Sequence, residues 1–153
     1  MDHIMEEAAL DRVMGLDIGE KRIGIAFSDP LGYTAQGHSV YVRRDETEDI
    51  AYLAGLANEK QARRIVFGLP RNMNGTEGPQ AEKVRAFAEA VSEAVPGIKI
   101  AFWDERLTTV AAHKIMLEGD MSRAKRGRKV DQLAAVLILQ GYLDYLQYRI
   151  EEE

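Results

Sequence analysis

Residues 12–30 read RVMGLDIGEKRIGIAFSDP. Two apolar runs, 12–18 and 22–28, are joined by Gly19, Glu20 and Lys21. Both runs have strand composition, and so short a link makes them an antiparallel hairpin. One residue does not fit. Asp17 stands near the end of the first run, where a buried strand should be apolar, and a carboxylate taken out of water without a partner is costly.

The rest of the chain gives that acid a setting. HSVYV (38–42) reads as a third short strand. From Asp45 the period changes: Ile50, Leu53, Ala54 and Ala57 share one face of a helix. RIVFGLP (64–70) is a buried strand ended by Pro70, and RNMNGTEGP is a loop by composition. Pro79 is a good first helical residue. Val84, Phe87, Ala88 and Val91 then repeat the helical spacing until Pro96 and Gly97. IKIAFW (98–103) is the fifth strand, with a helix expected from Leu107 to Leu117. DMSRAKRGRK reads as a polar basic loop, followed by a final helix over about Val130 to Tyr148. Short links make the first three strands antiparallel neighbours, whereas helical crossovers make the last two parallel to the first. The expected fold is α/β: a mixed five-stranded sheet with strand 2 antiparallel and helices on both faces.

Bulk properties narrow the function. A chain of 153 residues with 46% hydrophobic and 29% charged residues suits one domain with a real core, assigned here to residues 12–150. Residues 1–11 are read as a mobile N-terminal leader, acidic and without the apolar segment of a signal peptide. No apolar run approaches the roughly 18 residues that span a bilayer, so no membrane role is expected. The absence of cysteine excludes disulfides, thiolate metal sites and cysteine nucleophiles, and agrees with a cytoplasmic location. A net charge of −5 argues against wrapping nucleic acid with the whole surface and leaves room for a local basic patch.

Asp17 has company in this topology. Asp104 and Glu105 follow the fifth strand directly, and Asp131 opens the final helix. With strands 1, 4 and 5 parallel, Asp17 and Glu105 lie toward the same end of the sheet, where open sheets place their sites. Asp131 can be laid across that end. Three carboxylates gathered there repel one another, and a divalent cation relieves the repulsion. Hard oxygen ligands suit Mg²⁺ or Mn²⁺. Two such ions about 3.5–4 Å apart can clamp the attacking and leaving oxygens of a phosphodiester. Each acid also has a plainer reading: Asp17 as a turn former, Glu105 and Asp131 as acids in a helix's first turn. Neighbouring strand residues point to opposite faces, so only one of Asp104 and Glu105 should face the site, and Asp104 suits a helix cap.

Four blocks, GLDIGEKRIGIAFSD, IVFGLPRNMNGTEGPQAEKVRAFA, DERLTTVAA and KVDQLAAVLILQGYL, run from Val13 to Leu143. In that order they resemble the YqgF family, also called RuvX, of the ribonuclease-H-like superfamily. The resemblance implies strand order 3-2-1-4-5. It implies catalytic acids at Asp17, Glu105 and Asp131 that bind Mg²⁺ or Mn²⁺. It also implies a nuclease that helps mature the 5′ end of precursor 16S rRNA, with Holliday-junction resolution as the alternative. The chain departs from the family pattern in two places. Gln132 stands where a lysine is common after the last aspartate, and Gln36-Gly37 stands where a proline is common.

Substrate contacts are expected from Arg123, Lys125, Arg126, Arg128 and Lys129, a run with no acid before Asp131. Such bases hold phosphates without reading sequence. Lys21, Arg22 and Arg106 flank the acids; the two arginines suit either the scissile strand or a neighbouring carboxylate. Asn72, Asn74 and Thr76 precede a helix N-terminus, a natural phosphate site, although a turn and cap explain much of that loop. The expected partners are structured RNA or branched DNA, with ribosomal precursor particles. Nothing in the sequence encodes a dimer seam, so a monomer or weak homodimer is expected. Two rivals of other classes stand beside this reading. GLDIG also resembles the first phosphate loop of sugar kinases and actin-like ATPases, which need two such domains. A non-catalytic RNA- or ribosome-binding module would retain the basic patch alone.

Overall fold

The structure, a computed structural model, describes residues 12–107 and 123–152. Strands β1 (Arg12–Ile18), β2 (Arg22–Ser28) and β3 (Ala35–Val42) precede helix α1 (Glu46–Glu59). Then come β4 (Ala62–Leu69), α2 (Pro79–Ala94), β5 (Lys99–Asp104) and a 3₁₀ turn at Glu105–Leu107. The long helix α3 (Arg123–Glu152) is the last element. One five-stranded sheet runs in the order β3-β2-β1-β4-β5. β1 pairs antiparallel with β2 and parallel with β4, as the link lengths require.

Period-two alternation divides the core. Met14, Leu16, Ile23, Ile25, Ile65 and Phe67 point to one face, where they pack against Leu53 of α1 and Val84, Phe87 and Val91 of α2. The alternate residues Val13, Ala26 and Val66 point to the other face, against Ala134, Ala135, Ile138 and Leu139 of α3. This second face is built for close approach. A Cβ on Gly15 would lie 2.7 Å from the Leu139 Cβ. One on Gly24 would collide with the main-chain carbonyl of Asp131, and one on Gly68 with Ile138. Trp103 in turn seats its indole on Gly141 of the helix. Glycines in a strand thus let a helix rest on the sheet backbone.

Two boundaries differ from the sequence reading, each for a physical reason. β3 begins at Ala35, not residue 38: the polar stretch Ala35–Gly37 pairs with Ser28–Ala26. There the register slips, Ile25 facing Ser39 and Ala26 facing Gly37, so His38 is the bulged residue. Gln140 of α3 ties down the strand's start, accepting from the Ala35 amide at 2.8 Å and donating to the Tyr33 carbonyl at 2.9 Å. The second difference concerns the basic stretch, which is the opening of α3 and not a loop. Arg, Lys and Ala are strong helix formers, and polarity alone hid that. Asp131 therefore lies about two turns inside the helix, not in its first turn. Leu107, the expected start of a helix, belongs to the 3₁₀ turn. The rest of the helix expected to Leu117, like the leader at 1–11, lies outside the described residues.

The glycine contacts predict a ranking. Gly24→Ala meets main chain and should cost the most, more than the about 1–3 kcal/mol of ordinary overpacking. Gly68→Ala meets the ends of flexible side chains and should fall within that range. Gly55→Ala, in α1 with open space around it, should stabilise by about 0.5–1 kcal/mol. Urea unfolding midpoints of the three variants give the order directly.

Candidate functional site

Register carries the three acids to one rim. Asp17 pairs with Gly24 on β2. By alternation it faces the same side as Gly15 and Gly24, the side covered by α3. Leu16 pairs with Phe67 on β4, so Gly68 is level with Asp17 on its other flank. Glu105 leans over Gly68: its Oε1 would be 2.7 Å from a Cβ there. Asp131 lies over Gly24, its carbonyl against the glycine. The row Gly68–Asp17–Gly24 thus forms a floor, with Glu105 above one end and Asp131 above the other.

Asp17 is 6% exposed and Asp131 partly buried. The Asp131 carboxylate accepts from Arg22 Nε at 2.6 Å. Among the described residues no three carboxylates or imidazoles stand close enough together to form a complete metal cage. The donor types, carboxylate oxygens alone, nonetheless suit a hard divalent ion. Asp104 lies in phase with Ile100 and Phe102, on the face opposite Trp103. It accepts from the Arg106 amide at 2.9 Å and from the Arg106 guanidinium at 2.7 Å. Those bonds, chiefly the guanidinium's, hold its carboxyl below the usual aspartate range despite partial burial. Asp104 is therefore the cap of the 3₁₀ turn, as its strand position suggested.

The expected substrate contacts divide by what already holds them. Of the two readings left open for Arg22 and Arg106, both show the carboxylate pairing, to Asp131 and Asp104. Lys21 is exposed at the β1–β2 turn, and Lys129 is exposed on α3 just before the acid. Arg123, Lys125, Arg126 and Arg128 lie on the first turns of α3, which extend about 12 Å past Asp131 at the helical rise. Asn72 and Asn74 are spent on their own loop. Thr76 donates to Asn74 Oδ1 from its amide and hydroxyl, and Asn72 Nδ2 donates to Thr76 Oγ1.

Sequence reasoning passed over Arg71 and Arg85. Arg71 sits 3.4 Å from Glu77 and 3.9 Å from Asp104. Arg85 grips Glu77 with two bonds and lies over the Phe102 ring. The i to i+8 spacing of Glu77 and Arg85, across a loop–helix boundary, left no local signal. The two positions that depart from the family pattern meet: the Gln132 side chain packs on Gly37, 3.0 Å from where a Cβ would stand.

Comparison with known proteins identifies the family and agrees with the fold. The family model described as RuvX, Holliday junction resolvase, matches residues 11–145. The chain belongs to the RuvX family. A protein of Syntrophomonas wolfei named "Putative pre-16S rRNA nuclease" is 55% identical over 133 residues, 87% of this chain and 94% of the relative. A Clostridioides difficile protein of the same name is 56% identical over 134 residues, 88% of this chain and 94% of its own. Among solved structures, Thermus thermophilus RuvC in complex with Holliday junction substrate superposes with a TM-score of 0.57 at 12% identity. That match covers 90% of this chain and 96% of the RuvC chain. At such low identity the likeness is one of fold, and it establishes the ribonuclease-H-like architecture for this RuvX family member.

The Asp104 clamp gives a prediction with a definite sign. A carboxyl whose pKa is depressed by folding stabilises fully above its unfolded value, and that contribution is lost as pH falls through the folded value. Asp104→Asn should therefore lower stability by up to about 1 kcal/mol near neutrality, since Arg106 is partly exposed. The difference from wild type should shrink only as pH drops beneath the ordinary aspartate value of 3.8. Thermal melts of both proteins from pH 7 to pH 2.5 measure it.

Proposed function

We propose that this protein is a divalent-metal-dependent nuclease that hydrolyses phosphodiester bonds during maturation of the 5′ end of precursor 16S rRNA. The observation that carries the reading is the placement of Glu105 over Gly68 and of Asp131 over Gly24, the two glycines that flank Asp17 at one rim of the sheet. A structural role does not call for acids from β1, the turn after β5 and the third turn of α3 along one row. A nuclease site does, and the curated relatives carry that activity in their names.

In this reading Asp17, Glu105 and Asp131 hold Mg²⁺ or Mn²⁺. The ion's contribution is to lower the pKa of water and to neutralise charge on the leaving oxygen. The protein's own groups do the rest. Arg22 aims the Asp131 carboxylate along the rim, and hands it over when a cation binds. Lys21, Lys129 and the bases at 123–128 draw in the phosphate backbone. The glycines of the floor let Asp131 and Glu105 come down onto the strands on either side of Asp17. The enzyme acts in the cytoplasm, on structured RNA within precursor particles.

Asp17→Asn should lower Mg²⁺-dependent cleavage of precursor 16S rRNA by more than about 100-fold while RNA binding in EDTA is retained. Equal cleavage by wild type and variant would leave only a non-catalytic binding module. The family description and the RuvC-like fold favour junction cleavage as the second reading. Symmetric nicking of a four-way DNA junction, with no cutting of precursor rRNA, would establish it.

A second measurement addresses the basic start of α3. Arg126→Ala combined with Arg128→Ala should weaken RNA binding and reduce the slope of log K against log salt by about 1.4, two single-strand phosphate contacts. An unchanged slope would remove those residues from the binding surface.

A further inference from the structure

Met73 is 96% exposed, the most exposed of the large apolar side chains among the described residues. It does not sit on a slack segment. The Asn72 amide donates to the Thr76 carbonyl and the Gly75 amide to the Asn72 carbonyl, both at 2.9 Å. Gly75 takes the left-handed backbone that such a tight turn requires, with φ 87°. Arg71 and Glu77 pair across the base of the loop as an isolated bridge. Asn74, Thr76 and Asn72 bond to one another side chain to side chain. The loop is a braced arm with an apolar tip.

The arm is also fastened to the acidic rim. Arg106, the residue after Glu105, donates from Nη1 to the Met73 carbonyl at 3.3 Å. Around the arm's base stand Arg71, Arg85 and Arg106 against Glu77 and Asp104, three guanidinium groups to two carboxylates. Guanidinium groups therefore lie beneath an apolar tip, beside the proposed cleavage site. The folded chain gains nothing from leaving this thioether in water, since apolar burial is the main favourable term in folding.

Nucleic acid offers both complements, phosphate for the base of the arm and the apolar face of a nucleobase for the tip. Methionine is among the side chains that wedge between bases, and its polarisable sulfur suits aromatic contact. A protein partner would need a wider apolar patch, whereas Met73 is flanked by Asn72 and Asn74.

We propose that Met73 is a wedge that packs against a nucleobase beside the scissile phosphate and unstacks it, so that the enzyme selects sites where a base is unpaired or easily displaced. The proposal deepens the nuclease reading and rests on it. Met73 is then a specificity-determining residue, acting before the chemical step.

The test uses the full chain and an RNA hairpin with a single-stranded overhang. 2-Aminopurine is placed in turn at each position around the helix–strand junction. Binding is followed in EDTA, and Mg²⁺-dependent cutting of the same RNA is measured in parallel. Wild type should raise the fluorescence at one position as that base leaves the stack. Met73→Ala should lose the rise and bind about tenfold more weakly with an unchanged salt slope, since no charge is removed. Met73→Leu should restore both. On a probe made abasic at that position, wild type and Met73→Ala should bind alike. Equal fluorescence and affinity for wild type and Met73→Ala, with cutting intact, would overturn the wedge and leave the nuclease reading standing. So would an undiminished difference on the abasic probe, or a defect seen only with ribosomal precursor particles, which would make Met73 a protein contact. A wild type that neither binds nor cuts any RNA would overturn both. Matching thermal melts verify that the variants are folded, as a side chain so exposed should allow.

Discussion

Helix α3 lies directly on sheet backbone, and the arrangement of the rim depends on that approach. Gly15, Gly24 and Gly68 supply the clearance on the strands, Ala134 and Ala135 on the helix. Bulky side chains would hold a helix about 10 Å from a sheet. Here the Asp131 carbonyl touches the β2 main chain instead. That contact sets the height of Asp131 over Asp17, and neither residue could choose it alone. The opposite face of the sheet is ordinary by comparison, with large aliphatic and aromatic side chains filling the space beneath α1 and α2. The two faces thus have different tasks. One supplies the bulk of the apolar burial, and the other gives up side-chain volume to position a carboxylate.

Electrostatics at the rim follow a pairing rule. Asp131 is matched with Arg22, Asp104 with Arg106, and Glu77 with Arg85, while Arg71 lies between Glu77 and Asp104. Fork-shaped guanidinium groups suit this because they bind carboxylates in fixed geometry. Phe102, under Arg85, adds a flat surface to that cluster. A rim so braced holds its carboxylates in fixed orientation.

Much of this was legible in the residues. Link lengths and periodicity led to the strand directions, and the apolar runs to both core layers. The misplaced acid at Asp17 pointed to the end of the sheet where Glu105 and Asp131 also lie, and strand alternation separated Asp104 from Glu105. The boundary at Arg123 was not legible, because the run RAKRGRK has no apolar stripe to announce a helix. Nor was the early start of β3, whose first three residues pair through backbone alone. Gly15 and Gly24 did carry a signal, since glycine inside a strand marks close approach. What they could not reveal was the approaching element. The Arg71–Glu77–Arg85 cluster depends on a loop folding back on itself, which no linear pattern records.

The bulge at His38 has a consequence for behaviour in concentrated solution. β3 is the border of the sheet, and a flat border presents unpaired amides and carbonyls on which another chain could add a strand. The slip in register between Ile25 and Ala26 breaks that row partway along, twisting the strand and spoiling any continuous match. The irregularity therefore guards against runaway self-association through that border.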